Sequence, residues 1–153
     1  MSRILCVDDE DEVRSAVKRR LEREGHTVRT AESAAEGMRA IQEPGPSFDI
    51  VITDMSMEDG DSGLTMLKAA VERDVFTEVI VLTAYGNVKN AVECMQRGAY
   101  DYVEKNIPDV DVFELLMLKV DRALQQRRST MRTLDRLAHV GEMAERRPAT
   151  RTD

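Results

Sequence analysis

EVIVLT, residues 78–83, is an unbroken β-rich run set between a helical stretch and a polar one. Its lack of alternation says that both faces are covered, as in a strand inside a parallel sheet with helices above and below it. Working outward, DIVIT at 49–53 and RILCV at 3–7 have the same character, and TVRTA at 27–31 and YDYVE at 100–104 add two shorter β-rich runs. Helical periodicity fills the intervals. Val13, Ala16, Val17 and Leu21 recur at helical spacing within 12–24 and stop at Gly25, and Ser33 is placed to cap a helix that reaches about Gln42 before Pro44-Gly45-Pro46. A third helix runs from about Ser62 to Arg73, a fourth from a cap at Asn87 to near Gly98, and after Pro108 the pattern is helical again from Asp109.

Five β–α repeats with right-handed crossovers give a parallel sheet covered on both faces. The expected fold is therefore α/β, a flavodoxin-like doubly wound five-stranded sheet of order 2-1-3-4-5 with an extended C-terminal helix. The 153 residues suit one cored domain and an appendage: residues 1–125 as the domain, 126–146 as a helical extension able to form a coiled coil, and 147–153 as a disordered tail.

Composition narrows the function classes. No apolar run approaches the roughly 20 residues that cross a bilayer, and the N-terminus has no secretory h-region, so the expectation is a cytoplasmic protein. Residues 1–118 carry 13 Lys and Arg against 24 Asp and Glu, while 119–153 carry 9 against 5. An acidic body with a modestly basic tail, lacking a helix-turn-helix or an aromatic-rich basic patch, is not expected to bind nucleic acid. Cys6 and Cys94 have no CxxC or His company and read as buried, idle thiols; His26 and His139 are likewise isolated.

In an open parallel sheet, ligands bind at the carboxyl ends of the strands. The first strand runs into Asp8-Asp9, the third into Asp54, the fourth into Thr83 and the fifth into Lys105. Each alone has an ordinary explanation, such as acids complementing a helix dipole or a β-branched residue closing a strand. Together they form a chemical set. Crowded carboxylates need a counter-charge, and an oxygen-only site suits Mg²⁺, with Mn²⁺ able to substitute. A carboxylate left over is an oxygen nucleophile toward a phosphoryl group, a lysine opposite pairs with the incoming oxygens, and a small hydroxyl hydrogen-bonds them.

VDDE at 7–10, TDMSM at 53–57, LTAYG at 82–86 and GAYDYVEK at 98–105 together resemble the receiver domain of response regulators in two-component signalling, over about residues 2 to 125. The resemblance implies that Asp54 is the phosphoacceptor and that Asp8, Asp9, Asp54 and the backbone carbonyl of Ser56 hold the metal. It further implies that Lys105 binds the phosphoryl group, that Thr83 and Tyr102 switch conformation, and that Ser56 and Tyr85 tune how long the phosphoryl group survives. The protein would catalyse its own phosphorylation and dephosphorylation rather than act on a separate substrate. Its partners would be a sensor histidine kinase or histidine phosphotransfer protein and a downstream protein target. Glu58 and Asn106 stand where the family usually has proline, so the Lys105–Asn106 bond is expected to be trans, and the 58–63 loop reads one residue longer than the usual pattern.

Leu116, Val120, Leu124, Met131, Leu134 and Ala138 continue an apolar spacing past the domain, interrupted by Arg127 and Arg128; the extension reads as a solvated overhang or as a helix that pairs two copies. LDRLAHVGEMA at 134–144 has a short likeness to the segment leading into the phosphoacceptor helix of sensor kinases, but no His-Glu follows it. Two other readings therefore stand beside the phosphorylation switch: a phosphate-independent dimeric scaffold, and the receiver part of a receiver–histidine kinase fusion.

Overall fold

The computed structural model describes residues 2–55, 62–84 and 88–146, the side chains of 88 and 144–146 excepted. Strands and helices alternate as β1 (Arg3–Val7), α1 (Asp11–Arg23), β2 (Thr27–Ala31), α2 (Ala34–Gln42), β3 (Ile50–Asp54), α3 (Ser62–Arg73), β4 (Glu78–Thr83), α4 (Val88–Gln96), β5 (Asp101–Glu104) and α5 (Val112–Arg146). The strands form one parallel sheet in the order β2-β1-β3-β4-β5, the flavodoxin-like arrangement expected.

Alternation along the strands builds two separate cores. Ile4, Cys6, Ile50, Ile52, Ile80 and Leu82 pack with Val17 and Leu21 of α1 and Leu116, Val120 and Leu124 of α5. Their neighbours Leu5, Val7, Val51, Val79 and Val81 face the other way, onto Ile41 of α2, Met66 of α3 and Cys94 of α4. Both faces of β1, β3 and β4 are therefore buried, which is why these runs read as continuous apolar sequence. At Gly37 a Cβ would lie 2.8 Å from the Met66 sulfur and 2.9 Å from Val7 Cγ2, so the close approach of α2 to β1 needs a residue without one.

Local chemistry sets the boundaries. Ser33 caps α2 as expected, its hydroxyl accepting from the Glu36 amide at 3.2 Å. The third strand closes one residue later than DIVIT, so that Asp54 is its last member, and the fifth opens at Asp101 rather than Tyr100. The fifth helix starts at Val112, not Asp109. Asp109 turns through φ 62°, which breaks the helical path, and Asp111 then accepts from the amides of Phe113 and Glu114 at 3.1 Å as the cap. No cis peptide bond occurs among the described residues, so Lys105–Asn106 is trans. The expected cap at Asn87, and the tail at 147–153, lie outside them.

At the amino edge of the sheet α5 is held by charge as well as by apolar contact. Arg127 Nε donates to Asp49 Oδ1 at 2.9 Å, Nη1 to the Phe76 carbonyl at 3.3 Å, and Nη2 lies 3.5 Å from Asp74 Oδ2. Asp49 Oδ2 in turn accepts from the Arg3 amide at 2.8 Å, and Asp74 accepts from the Ser47 hydroxyl at 2.6 Å and the Phe76 amide at 2.9 Å. Burial pushes the Asp74 carboxyl up, but the Ser47 hydroxyl, the Phe76 amide and Arg127 outweigh it and hold it below its ordinary range. The Arg3 side chain lies with its guanidinium 4.9 Å from the centre of the Phe48 ring. Arg127, an interruption in the apolar spacing, is thus a docking residue of the helix.

Beyond it α5 leaves the domain. Its 35 residues span about 50 Å, and Met131, Leu134, Leu137, Val140 and Met143 are all exposed.

Candidate functional site

At the carboxyl edge, the parallel register brings the strand ends together. Cys6 pairs with Ile52 and Val7 with Thr53 across β1 and β3, Asp54 pairs with Leu82 across β3 and β4, and Thr83 pairs with Glu104 across β4 and β5. Asp8 follows β1, tied to β2 by its amide donating to the Ala31 carbonyl at 3.0 Å. Lys105 follows β5, tied to β4 by its amide donating to the Thr83 carbonyl at 2.8 Å. The acids and the lysine thus converge because the sheet is parallel and the strands end level.

Lys105 is the centre of this cluster. Its ammonium lies 2.8 Å from Asp8 Oδ2, 2.9 Å from Glu10 Oε1 and 3.1 Å from Asp54 Oδ2, with only 10% of its side chain exposed. The contacts to Glu10 and Asp54 are aligned hydrogen bonds. Asp8 Oδ1 accepts from the Glu10 amide at 2.9 Å, while its buried Oδ2 has, among the described residues, only the ion-pair contact with the Lys105 ammonium, which it shares with Glu10 and Asp54. Burial pushes the Asp8 carboxyl up to about 6 against the opposing pull of Lys105. Burial depresses Lys105, but its bonds to Asp8 and Glu10 prevail and hold the ammonium above its ordinary range. One lysine is too little counter-charge for these acids.

A hard cation fits beside that shared oxygen. Oxygens of Asp8, Asp9 and Glu10 can come within 4.8 Å of one another, with Asp8 buried and the other two exposed. Asp54 lies at 6% exposure on the adjacent strand end. The donors are all oxygen, with two exposed ligands open to water, the set that suits Mg²⁺. Glu10 escaped the sequence reading, which treated it as a helix-dipole acid; an acid two residues after Asp8, opposite a strand-end lysine, was the available signal.

Thr83 is fully buried, and its hydroxyl lies 3.4 Å from the Ala84 carbonyl. Tyr102 sits half-buried against the core of the α2–α4 face, with the Lys119 ammonium 5.9 Å from its ring centre and 2.7 Å from Asp101 Oδ2. The expected metal carbonyl of Ser56 and the two lifetime positions, Ser56 and Tyr85, lie outside the described residues. Beneath the site Cys6 is a free, buried thiol, pushed up to about 12 first by burial and then by Asp8. Beside it a cavity of about 360 Å³ is lined by Val13, Leu82, Phe113 and Leu116, with Glu10 and Lys105 among its polar members.

The profile of the response regulator receiver domain matches residues 4–117. The photosynthetic apparatus regulatory protein RegA of Rhodobacter capsulatus is 31% identical over 116 residues, 76% of this chain and 61% of RegA. The regulatory protein AtoC of Escherichia coli is 36% identical over 125 residues, 82% of this chain and 26% of AtoC, so the chain spans only part of either protein. Among solved structures, a response regulator receiver domain protein from Clostridium thermocellum superposes with a TM-score of 0.74 at 32% identity, covering 85% of this chain and 99% of that one.

Proposed function

Because the chain belongs to the response regulator receiver domain family of two-component systems, we propose that it is a phosphorylation switch whose acceptor is Asp54. The observation that carries this is the meeting of Asp54, Asp8 and Lys105 at one sheet edge, where a single ammonium serves both carboxylates and Glu10 as well. A partner phosphohistidine, on a sensor kinase or a histidine phosphotransfer protein, supplies the phosphoryl group. An Asp54 carboxylate oxygen attacks phosphorus, the P–N bond breaks, and the imidazole departs with the bonding pair. Lys105 leaves its carboxylate partners to hold the transferred oxygens. Asp8, Asp9 and Asp54, with the backbone carbonyl of Ser56, would hold Mg²⁺ or, in its place, Mn²⁺, which would supply charge neutralisation.

Afterwards the Thr83 hydroxyl engages the phosphoryl group and Tyr102 changes its packing, altering the α4–β5–α5 face that a downstream protein reads. The protein works in the cytoplasm, without nucleic-acid contact of its own, and no described helix is long and apolar enough to cross a membrane. Tyr85 shields the phosphoryl group from water; an unchanged dephosphorylation rate in Tyr85→Ala would remove that role.

The deciding experiment is intact-mass detection of phosphoryl transfer from a small phospho-donor, with Mg²⁺ or with chelator, in the wild type and in Asp54→Ala. A metal-dependent adduct lost in the variant is the expected result. No adduct under any condition favours the phosphate-independent scaffold.

A further inference from the structure

From Phe113 onward α5 carries a strict alternation of four and three: Phe113, Met117, Val120, Leu124 and Arg127 lie along the receiver, and Met131, Leu134, Ala138 and Gly141 continue the same stripe. Met117, Val120 and Leu124 are buried, whereas Met131 and Leu134, each 40% exposed, have no domain beneath them. The docked stripe therefore runs on past its own partner.

We infer that a second copy of this chain covers the stripe, with the two helices antiparallel over about residues 128–142. The order of sizes decides both the occupant and the direction. When two copies run antiparallel in register, Met131 faces Gly141 of the other helix and Leu134 faces Ala138, so each layer joins one large side chain to one small one. Run parallel, the same helices put Met131 on Met131, Leu134 on Leu134, Ala138 on Ala138 and Gly141 on Gly141, two filled layers followed by two empty ones. Even packing is the arrangement that leaves no void. Charge agrees: the flanking positions are Arg128, Asp135 and Glu142, and the antiparallel register sets each Arg128 beside a Glu142. The opposite flank brings Leu137, 62% exposed, beside its own copy. Among the charged flanking positions only Asp135 opposes itself, and that is the built-in weakness of the pair. Val140 and Met143 lie outside the seam.

This pairing leaves the reacting residues open. The helix departs at the amino edge, where Arg127 binds Asp49, and the Asp54 cluster occupies the opposite edge.

Light-scattering mass measurement on the full chain over a concentration series tests the proposal, with disulfide trapping for direction. The expected result is a concentration-dependent dimer that Leu134→Glu weakens by roughly tenfold or more with the melting curve unchanged, and that Asp135→Asn tightens by about twofold. Met131→Cys with Gly141→Cys should cross-link copies under mild oxidation, while Met131→Cys alone should not, because those two positions are about 15 Å apart along the pair. Cys6 and Cys94 are buried and do not interfere. A monomer at every concentration, a dimer indifferent to Leu134→Glu, or cross-linking by Met131→Cys alone overturns it.

Discussion

At the amino edge of the sheet, Asp49 and Asp74 share one arginine and take further hydrogen bonds from Arg3, Ser47 and Phe76; at the carboxyl edge, the three acids Asp8, Glu10 and Asp54 crowd around one lysine. Both edges collect charge in half-buried surroundings. At the first, both carboxylates take hydrogen bonds beyond the arginine and the cluster holds α5 in place; at the second, three acids lean on one ammonium, a deficit of positive charge. Buried carboxylates are tolerated for structure when every lone pair is answered, and a site left short of counter-charge is a site prepared for an incoming one.

Removing the lysine should show the contrast most strongly. Lys105→Ala leaves Asp8 and Asp54 facing each other, so phosphoryl transfer should fall by about a hundredfold or more. The metal-free fold should lose about 3 kcal/mol, with Mg²⁺ restoring most of the melting temperature. A variant that Mg²⁺ does not rescue would break the idea that the deficit is ionic. Arg127→Ala should destabilise by about 2–3 kcal/mol, somewhat under the usual figure for a fully buried pair because 12% of the Arg127 side chain is exposed. Here Mg²⁺ should restore nothing and phosphorylation should proceed normally; a metal-dependent recovery would erase the distinction between the edges.

Acid should sort the two edges by sign. The Asp8 carboxyl is raised in the fold from 3.8 to about 6, so between those values the folded state binds more protons than the unfolded one. Its contribution therefore falls as pH rises through that window, and chelated protein should gain up to about 3 kcal/mol on going from pH 7 to pH 4. Asp74 is lowered, so its contribution is present above its unfolded value of 3.8 and is lost as pH falls through its folded one. Denaturation followed against pH should give a metal-free optimum near about pH 4. A flat profile down to pH 4 would contradict the Asp8 assignment. The smallest effect is Asp8→Asn, which should stabilise the chelated protein by about 1 kcal/mol at neutral pH and abolish that acid gain.

Much of this was legible in the chain itself. Apolar runs of five or six residues, each closing on a chemically active side chain, carried both the sheet and the reacting set, because register in a parallel sheet lines up strand ends whatever the loops do. What escaped were pairings between residues far apart in sequence. Arg127 looked like a break in an apolar stripe because its carboxylates, Asp49 and Asp74, lie 78 and 53 positions away on other elements. Glu10 looked like a dipole acid until Lys105 was placed 2.9 Å from it. The late start of α5 followed from a single left-handed residue, Asp109, which propensity does not distinguish from an ordinary helix-entry acid.

Cys6 lies two residues before the acidic pair, on the strand that delivers it, with its thiol pushed up to about 12. Soft ions such as zinc or copper(I) are won by thiolate, and a thiol that stays protonated has none to offer. The carboxyl edge of the sheet thus lays carboxylate oxygens over a buried thiol held in its protonated form, so the donors it offers a cation are hard ones.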